Sequence, residues 1–270
     1  MVRARRVCLA STLFAFFAAG FAPPARAEGE RNDPAALYDV SLPIDGFIIV
    51  ASSAAILVPY ALSSRLITPT CPCASSSVNP IDRGVIGNAS NTADTISNVT
   101  VGLAILAPPV ADWLALGASR TLLDDVVVFT ESLTVNSGIN TAVKYAVQRP
   151  IPRAYSDPQA AASPSSYRSF YSGHTSLAFA ALSTASVTLD KRYGFTWQPW
   201  AVSVLIGASV GAERVLAGYH FYTDVVAGAV AGTAVGTLVP IAHLRSHRLR
   251  ISIFRPETGE GAGIQIGGLL

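Results

Sequence analysis

The chain has 270 residues, of which 50% are hydrophobic and only 13% charged, with a formal net charge of +2. An average soluble domain carries about 25% charged residues, so the deficit excludes a disordered chain, a long coiled coil and a nucleic-acid binder working through a dense basic surface. Three cysteines are too few for a disulfide scaffold.

Residues 1–27 have the layout of a secretory signal peptide. Arg3, Arg5 and Arg6 precede an apolar run over residues 7–21, and Ala25-Arg26-Ala27 supplies a small-x-small cleavage site. The run is short for a membrane span of about 20 residues, and an uncleaved anchor is the alternative. A polar segment, residues 28–45, follows. Cys71-Pro72-Cys73 has no second Cys or His pair nearby, which argues against zinc and for a loop thiol pair oxidised outside the cytoplasm.

Apolar segments then recur at residues 46–63, 99–117, 122–143, 175–189, 199–212 and 225–243. Each is long enough for a helix and none alternates as a strand does, so the reading is all-α, a six-helix domain over residues 46–243. Two features make the spans weak. Pro108-Pro109 breaks the second segment, and the third carries Asp124, Asp125 and Glu131, which hydrocarbon tolerates only if they turn inward. Asn136, Asn140 and Lys144 recur every four residues and share one helix face, as do Asp224, Gly228, Gly232 and Gly236. The three glycines suit close helix packing. Residues 244–270 form a basic tail with an expected small β-hairpin around residues 251–253 and 264–266.

Candidate chemistry clusters in three short stretches: residues 144–153, 169–175 and 213–224. Lys144 and Arg149 end a helix. Ser172-Gly173-His174 opens the next, where free N–H groups and the helix dipole favour an anion. Arg214 adds a guanidinium suited to phosphate, and His220 stands four residues before Asp224, whose carboxylate can orient the imidazole. The first two stretches bracket one loop, and the third returns two helices later to the same end.

The third stretch matches Arg-x5-His-x3-Asp of the type 2 phosphatidic acid phosphatase (PAP2) superfamily, and Ser172-Gly173-His174 resembles its Ser-Gly-His motif. The resemblance covers roughly residues 122–239. It implies a six-helix bundle of the vanadium haloperoxidase type. His220 would attack phosphorus and Asp224 would orient it. His174 would protonate the leaving oxygen, and Lys144, Arg149, Ser172, Gly173 and Arg214 would hold the phosphoryl oxygens. It implies no metal and no cofactor. The family's first motif, Lys-x6-Arg-Pro, is irregular here. Counting from Lys144 gives Ile151-Pro152, while Arg149-Pro150 comes two residues early. Either Arg149 or Arg153 replaces the missing arginine, or one phosphate ligand is lost.

The expected function is hydrolysis of a phosphomonoester or pyrophosphate, on a lipid substrate among membrane lipids, with no nucleic acid and no obligate protein partner. A soluble periplasmic acid phosphatase and a non-enzymatic helical membrane protein are the alternatives. Lys191-Arg192 and the arginines from Arg245 to Arg250 lie at the end away from the motifs. By the positive-inside rule they place the site on the periplasmic face of a bacterial envelope. Six spans after a cleaved signal give the opposite side, so the two arguments conflict.

Overall fold

The computed structural model describes residues 36–245, 250–254 and 263–267. The expected signal peptide lies outside the described residues. Among them, six long helices appear: α1 (Leu42–Ala61), α2 (Asn91–Leu116), α3 (Arg120–Val147), α4 (Gly173–Tyr193), α5 (Gln198–Leu216) and α6 (Tyr222–His243). The all-α reading stands. The terminal hairpin is also present: β1 (Arg250–Phe254) pairs antiparallel with β2 (Gly263–Gly267), Ile251 opposite Ile266 and Ile253 opposite Ile264.

Local signals explain the helix ends. Ser90 accepts a hydrogen bond from the Ala93 N–H and Ser119 from the Leu122 N–H, so α2 and α3 both start on a serine cap. α3 stops at Gln148, which adopts the left-handed conformation. The loop that follows holds three one-turn helices, Pro152–Tyr155, Pro158–Ala162 and Pro164–Tyr167, each opening on a proline whose missing N–H costs nothing there. The break expected at Pro108-Pro109 does not occur, because α2 runs through both residues to Leu116. Each proline removes one backbone bond, but the rest of a 26-residue helix holds the two arms in register.

α4 is the centre of the bundle and packs against α2, α3, α5 and α6. Its buried residues are mostly small: Ala178, Ala180, Ala181, Ser183, Thr184 and Ser186. This lets the neighbouring helices approach closely. The glycine stripe of α6 meets the backbone of α4. A Cβ at Gly228 would lie 2.7 Å from the Ser172 carbonyl oxygen, and one at Gly232 would collide with the Ser176 carbonyl. Gly232→Ala is therefore expected to push α6 off α4 and to cost about 1–3 kcal/mol. Thermal unfolding in detergent checks this, and an unchanged Tm would remove the close-packing account.

The acidic residues of α3 do turn inward. Asp124 pairs with Arg120 at 2.9 Å, and Asp125 pairs with Arg192 at 2.7 Å, all on the side away from the site motifs. Three helices, α1, α2 and α6, are long and apolar enough to cross a membrane. Their outer faces expose Phe47, Leu57, Leu103, Leu114, Val230 and Leu238, a continuous apolar cover of the kind that marks lipid contact.

Candidate active site

The end of α3, the start of α4, the end of α5 and the start of α6 meet at one end of the bundle. The polar stripe of α3 faces α4 there. The Asn136 side chain donates to Ser176 Oγ at 3.2 Å, Asn140 to the Tyr171 carbonyl at 2.9 Å, and Lys144 Nζ to the Arg168 carbonyl at 2.5 Å. Gly173, the first residue of α4, is set against this stripe, since a Cβ would meet Asn140 Oδ1 at 3.1 Å. Ser172 caps the helix and its own N–H donates to the Asp224 carbonyl at 3.0 Å, tying α4 to α6.

His220 hangs from the turn between α5 and α6. Gly218 makes that turn with a φ of 72°. A side chain there would run into the Asn88 carbonyl, so glycine is required on both counts. His220 is buried, and its Nδ1 lies 2.8 Å from the Ser169 carbonyl. Nδ1 therefore carries the proton and Nε2 keeps its lone pair. Asp224 Oδ2 stands 3.9 Å from Nδ1, too far for a hydrogen bond. The direct carboxylate–imidazole bond expected from the sequence is thus replaced by a carbonyl contact plus a nearby charge. Ser169 links the two, because its hydroxyl donates to Asp224 Oδ2 at 2.6 Å. That oxygen also accepts the Phe221 N–H at 2.9 Å, which caps the start of α6.

Arg149 departs from its expected place. Its Nη1 donates to Asp224 Oδ1 at 2.6 Å and to Thr223 Oγ1 at 2.9 Å, and its Nη2 donates to Asp82 Oδ2 at 2.8 Å. The guanidinium also stacks on Phe221 at 4.1 Å. It sits behind Asp224, committed to two carboxylates. Asp82 is fully buried. Burial opposes its ionisation, but donors on Arg149, Thr223 and Asn79 hold it below the usual carboxylate range. Arg153 and Arg214 instead flank Tyr219, with guanidinium carbons 4.7 and 4.3 Å from the ring centroid. Arg214 is anchored by Asp94 at 2.5 Å and Ser97 at 3.2 Å. Arg153 Nη2 and Arg214 Nε are buried and without a hydrogen-bond partner. His174 is held by Asn98, with Oδ1 2.7 Å from Nε2.

Lys144, His174, His220 and Arg214 are close enough to influence one another's charge. Burial pushes the Lys144 ammonium down to about 7, with Asp224 opposing and Arg168 and Arg214 reinforcing. Burial and Arg214 lower His174 to about 3, and burial lowers His220 to about 4. Both imidazoles are neutral at ordinary pH. Five groups shape the site that no motif announces: Asp82, Asp94, Ser97, Asn98 and Ser169.

Beside His174, a pocket of about 260 Å³ opens between α1, α2, α3 and α4. Ile56, Tyr60, Val101 and Leu177 form its apolar walls, and Asn140, Gly173 and His174 its polar floor.

Two buried cations, a helix N-terminus and an imidazole with its Nδ1 proton engaged thus meet at one end of a helical bundle. The model of the PAP2 superfamily matches residues 125–248 of this chain. One similar solved structure is described as the first transmembrane PAP2 type phosphatidylglycerolphosphate phosphatase from Bacillus subtilis. It is 19% identical, covers 70% of this chain and 93% of its own, and has a TM-score of 0.43. No curated protein sequence matches the chain.

Proposed function

We propose that the chain is a lipid phosphatase that hydrolyses a phosphomonoester or pyrophosphate through a phosphohistidine at His220. The carrying observation is the pocket at His174, which joins an apolar wall from α1 and α2 to the polar start of α4 at Gly173 and His174. A phosphate headgroup fits the cations and an acyl or prenyl chain fits the wall.

The Ser169 carbonyl holds Nδ1–H, so Nε2 of His220 attacks phosphorus. The phosphorus–oxygen bond to the leaving group breaks, and His174 gives its proton to that oxygen. His174 then removes a proton from water, which attacks the phosphohistidine and releases inorganic phosphate. Lys144, Arg214, Ser172 and the Gly173 N–H hold the equatorial oxygens, and their fixed charges stabilise the transition state. Arg153, with a free buried donor beside Arg214, supplies the arginine missing from the first motif. Arg149 supports Asp224 from behind and is not a phosphate ligand.

The neutral His174 becomes an acid when the substrate arrives, because a phosphate anion among these cations favours the imidazolium. The same reasoning sets a pH dependence. Lys144 is charged below about pH 7. A bound phosphate dianion raises its pKa, so binding above that pH must take up a proton. Inhibition by phosphate or vanadate is expected to weaken about tenfold per pH unit above pH 7. Lys144→Met should abolish this slope, and a slope unchanged in that variant would remove Lys144 from the site.

Cys71 and Cys73 form a disulfide in the loop after α1, at the site end of the bundle. Such bonds persist in oxidising compartments, which supports a site on the outer side of a membrane. The far-end charges give the same side, although Arg192 among them is spent on Asp112 and Asp125. This orientation puts Tyr38 and the start of α1 on the cytoplasmic side, which conflicts with cleavage at Ala25-Arg26-Ala27. N-terminal sequencing of the purified protein decides between them.

Activity on p-nitrophenyl phosphate and diacylglycerol phosphate, beside His220→Ala, tests the enzyme reading. Equal turnover by the two proteins overturns it. Carbonate extraction tests the membrane, since release into the soluble fraction favours the soluble acid phosphatase.

A further inference from the structure

At the opposite end of the bundle, three potential ligands converge from three helices. Asp45 lies in the first turn of α1, Glu131 within α3 and His243 at the last residue of α6. His243 Nε2 is 3.5 Å from Asp45 Oδ1 and 3.6 Å from Glu131 Oε2. One ligand atom from each lies within 4.8 Å of the others. Asp45 and Glu131 are each only 4% exposed. Glu131 Oε2 accepts no hydrogen bond, a buried anionic atom aimed into the cluster. We propose that Asp45, Glu131 and His243 bind a divalent first-row metal ion of the Zn²⁺ class, separate from the phosphate site.

Three observations carry this. His243 Nδ1 is 2.8 Å from the Val239 carbonyl, one turn earlier. Nδ1 therefore bears a proton, and Nε2 is the ring atom that faces the two carboxylate oxygens. A cation held between Nε2 and these oxygens would be bound by all three. The separations point the same way. Charge-assisted N–H···O bonds run about 2.7–2.9 Å, well short of these gaps. Zinc bonds of about 2.1 Å to nitrogen and oxygen, set tetrahedrally, place neighbouring ligand atoms about 3.4 Å apart. Finally, the outer contacts are those of a metal site. The Ser41 N–H donates to Asp45 Oδ2 at 2.8 Å and leaves Oδ1 for the ion, while the Val239 carbonyl fixes the imidazole.

Two carboxylates and a dication sum to zero charge, which suits a buried position. Ca²⁺ and Mg²⁺ demand more oxygens and fit a His-containing trio poorly. A water completes the four-coordinate set, since the His243 side chain is 13% exposed. The ion would lock α1, α3 and α6 together about 28 Å along α6 from Asp224, and so acts on stability rather than on chemistry.

The test uses the full chain in detergent, stripped with a chelator, reloaded with Zn²⁺ and dialysed. Elemental analysis should find about one zinc per chain in the wild type and in a His174→Ala/His220→Ala variant. Glu131→Gln and His243→Gln should each weaken zinc binding at least about 100-fold. Zinc should also raise the wild-type Tm by mass action and leave that of Glu131→Gln unmoved. If either variant expresses poorly, Asp45→Asn and the visible absorption of the Co²⁺-loaded wild type give the same answer. Zinc content equal in wild type and His243→Gln, or lost with His174 and His220, overturns the proposal.

Discussion

His220→Ala should abolish turnover, by on the order of 10³-fold or more, while the protein stays folded. The reasoning is geometric. The imidazole is buried at the site and its Nδ1 proton is tied to the Ser169 carbonyl. Only Nε2 of this ring is left to attack. Vanadate should bind the variant more weakly, since the Nε2 bond to the metal oxyanion is gone. Rapid quench with radiolabelled phosphate ester should trap an acid-labile, base-stable phosphoenzyme in the wild type only. A phosphoenzyme that survives the substitution would place the nucleophile elsewhere.

Arg149→Gln should lower kcat and stability together while sparing KM. The guanidinium bridges Asp82 and Asp224, both without exposed side-chain surface. Removing it leaves two buried carboxylates facing one another, a loss of about 3–5 kcal/mol for a broken buried pair. Asp224 would then shift or take a proton, and His220 would lose both its nearby charge and the Ser169 link. Arg149→Lys should rescue little, because one ammonium cannot serve two carboxylates at the fork geometry of a guanidinium. Asp82→Asn should be milder, since it removes one of the two charges that Arg149 balances. The contrast is with Arg214→Gln, which should raise KM and weaken phosphate inhibition. If Arg149→Gln weakens phosphate inhibition as much as Arg214→Gln does, Arg149 is a ligand and the supporting role is wrong.

The helical frame and the core of the site were legible because both write themselves into short windows. Apolar runs matched five of the six helices to within about four residues at each end, while α2 begins at Asn91, well ahead of its run, and a four-residue period marked the faces of α3 and α6. Arg214, His220 and Asp224 sit within one window, so their spacing was visible. The partners from α2 and from the segment before it were not. Asp82 meets Thr223 across 141 residues, and Asp94 meets Arg214 across 120. No local pattern marks such pairs. The partners of Arg149 were hidden for a related reason: an Arg-Pro beside a phosphate motif reads as a ligand, and only the fold shows Asp82 and Asp224 paired with it. Pro108-Pro109 misled in the other direction, since a local breaking tendency is outweighed in a long helix.

The contact between α6 and α4 has a further bearing on how a substrate reaches the pocket. Backbone rests on backbone at Gly228, Gly232 and Gly236, with no flexible side chains to absorb sliding. The half of the bundle that holds Ser172, His220 and Asp224 thus behaves as one rigid block. Freedom lies on the other side, where α1 and α2 line the pocket without packing on each other. On the proposed lipid reading, the seam between α1 and α2 is where a substrate chain would enter while the reacting groups stay undisturbed.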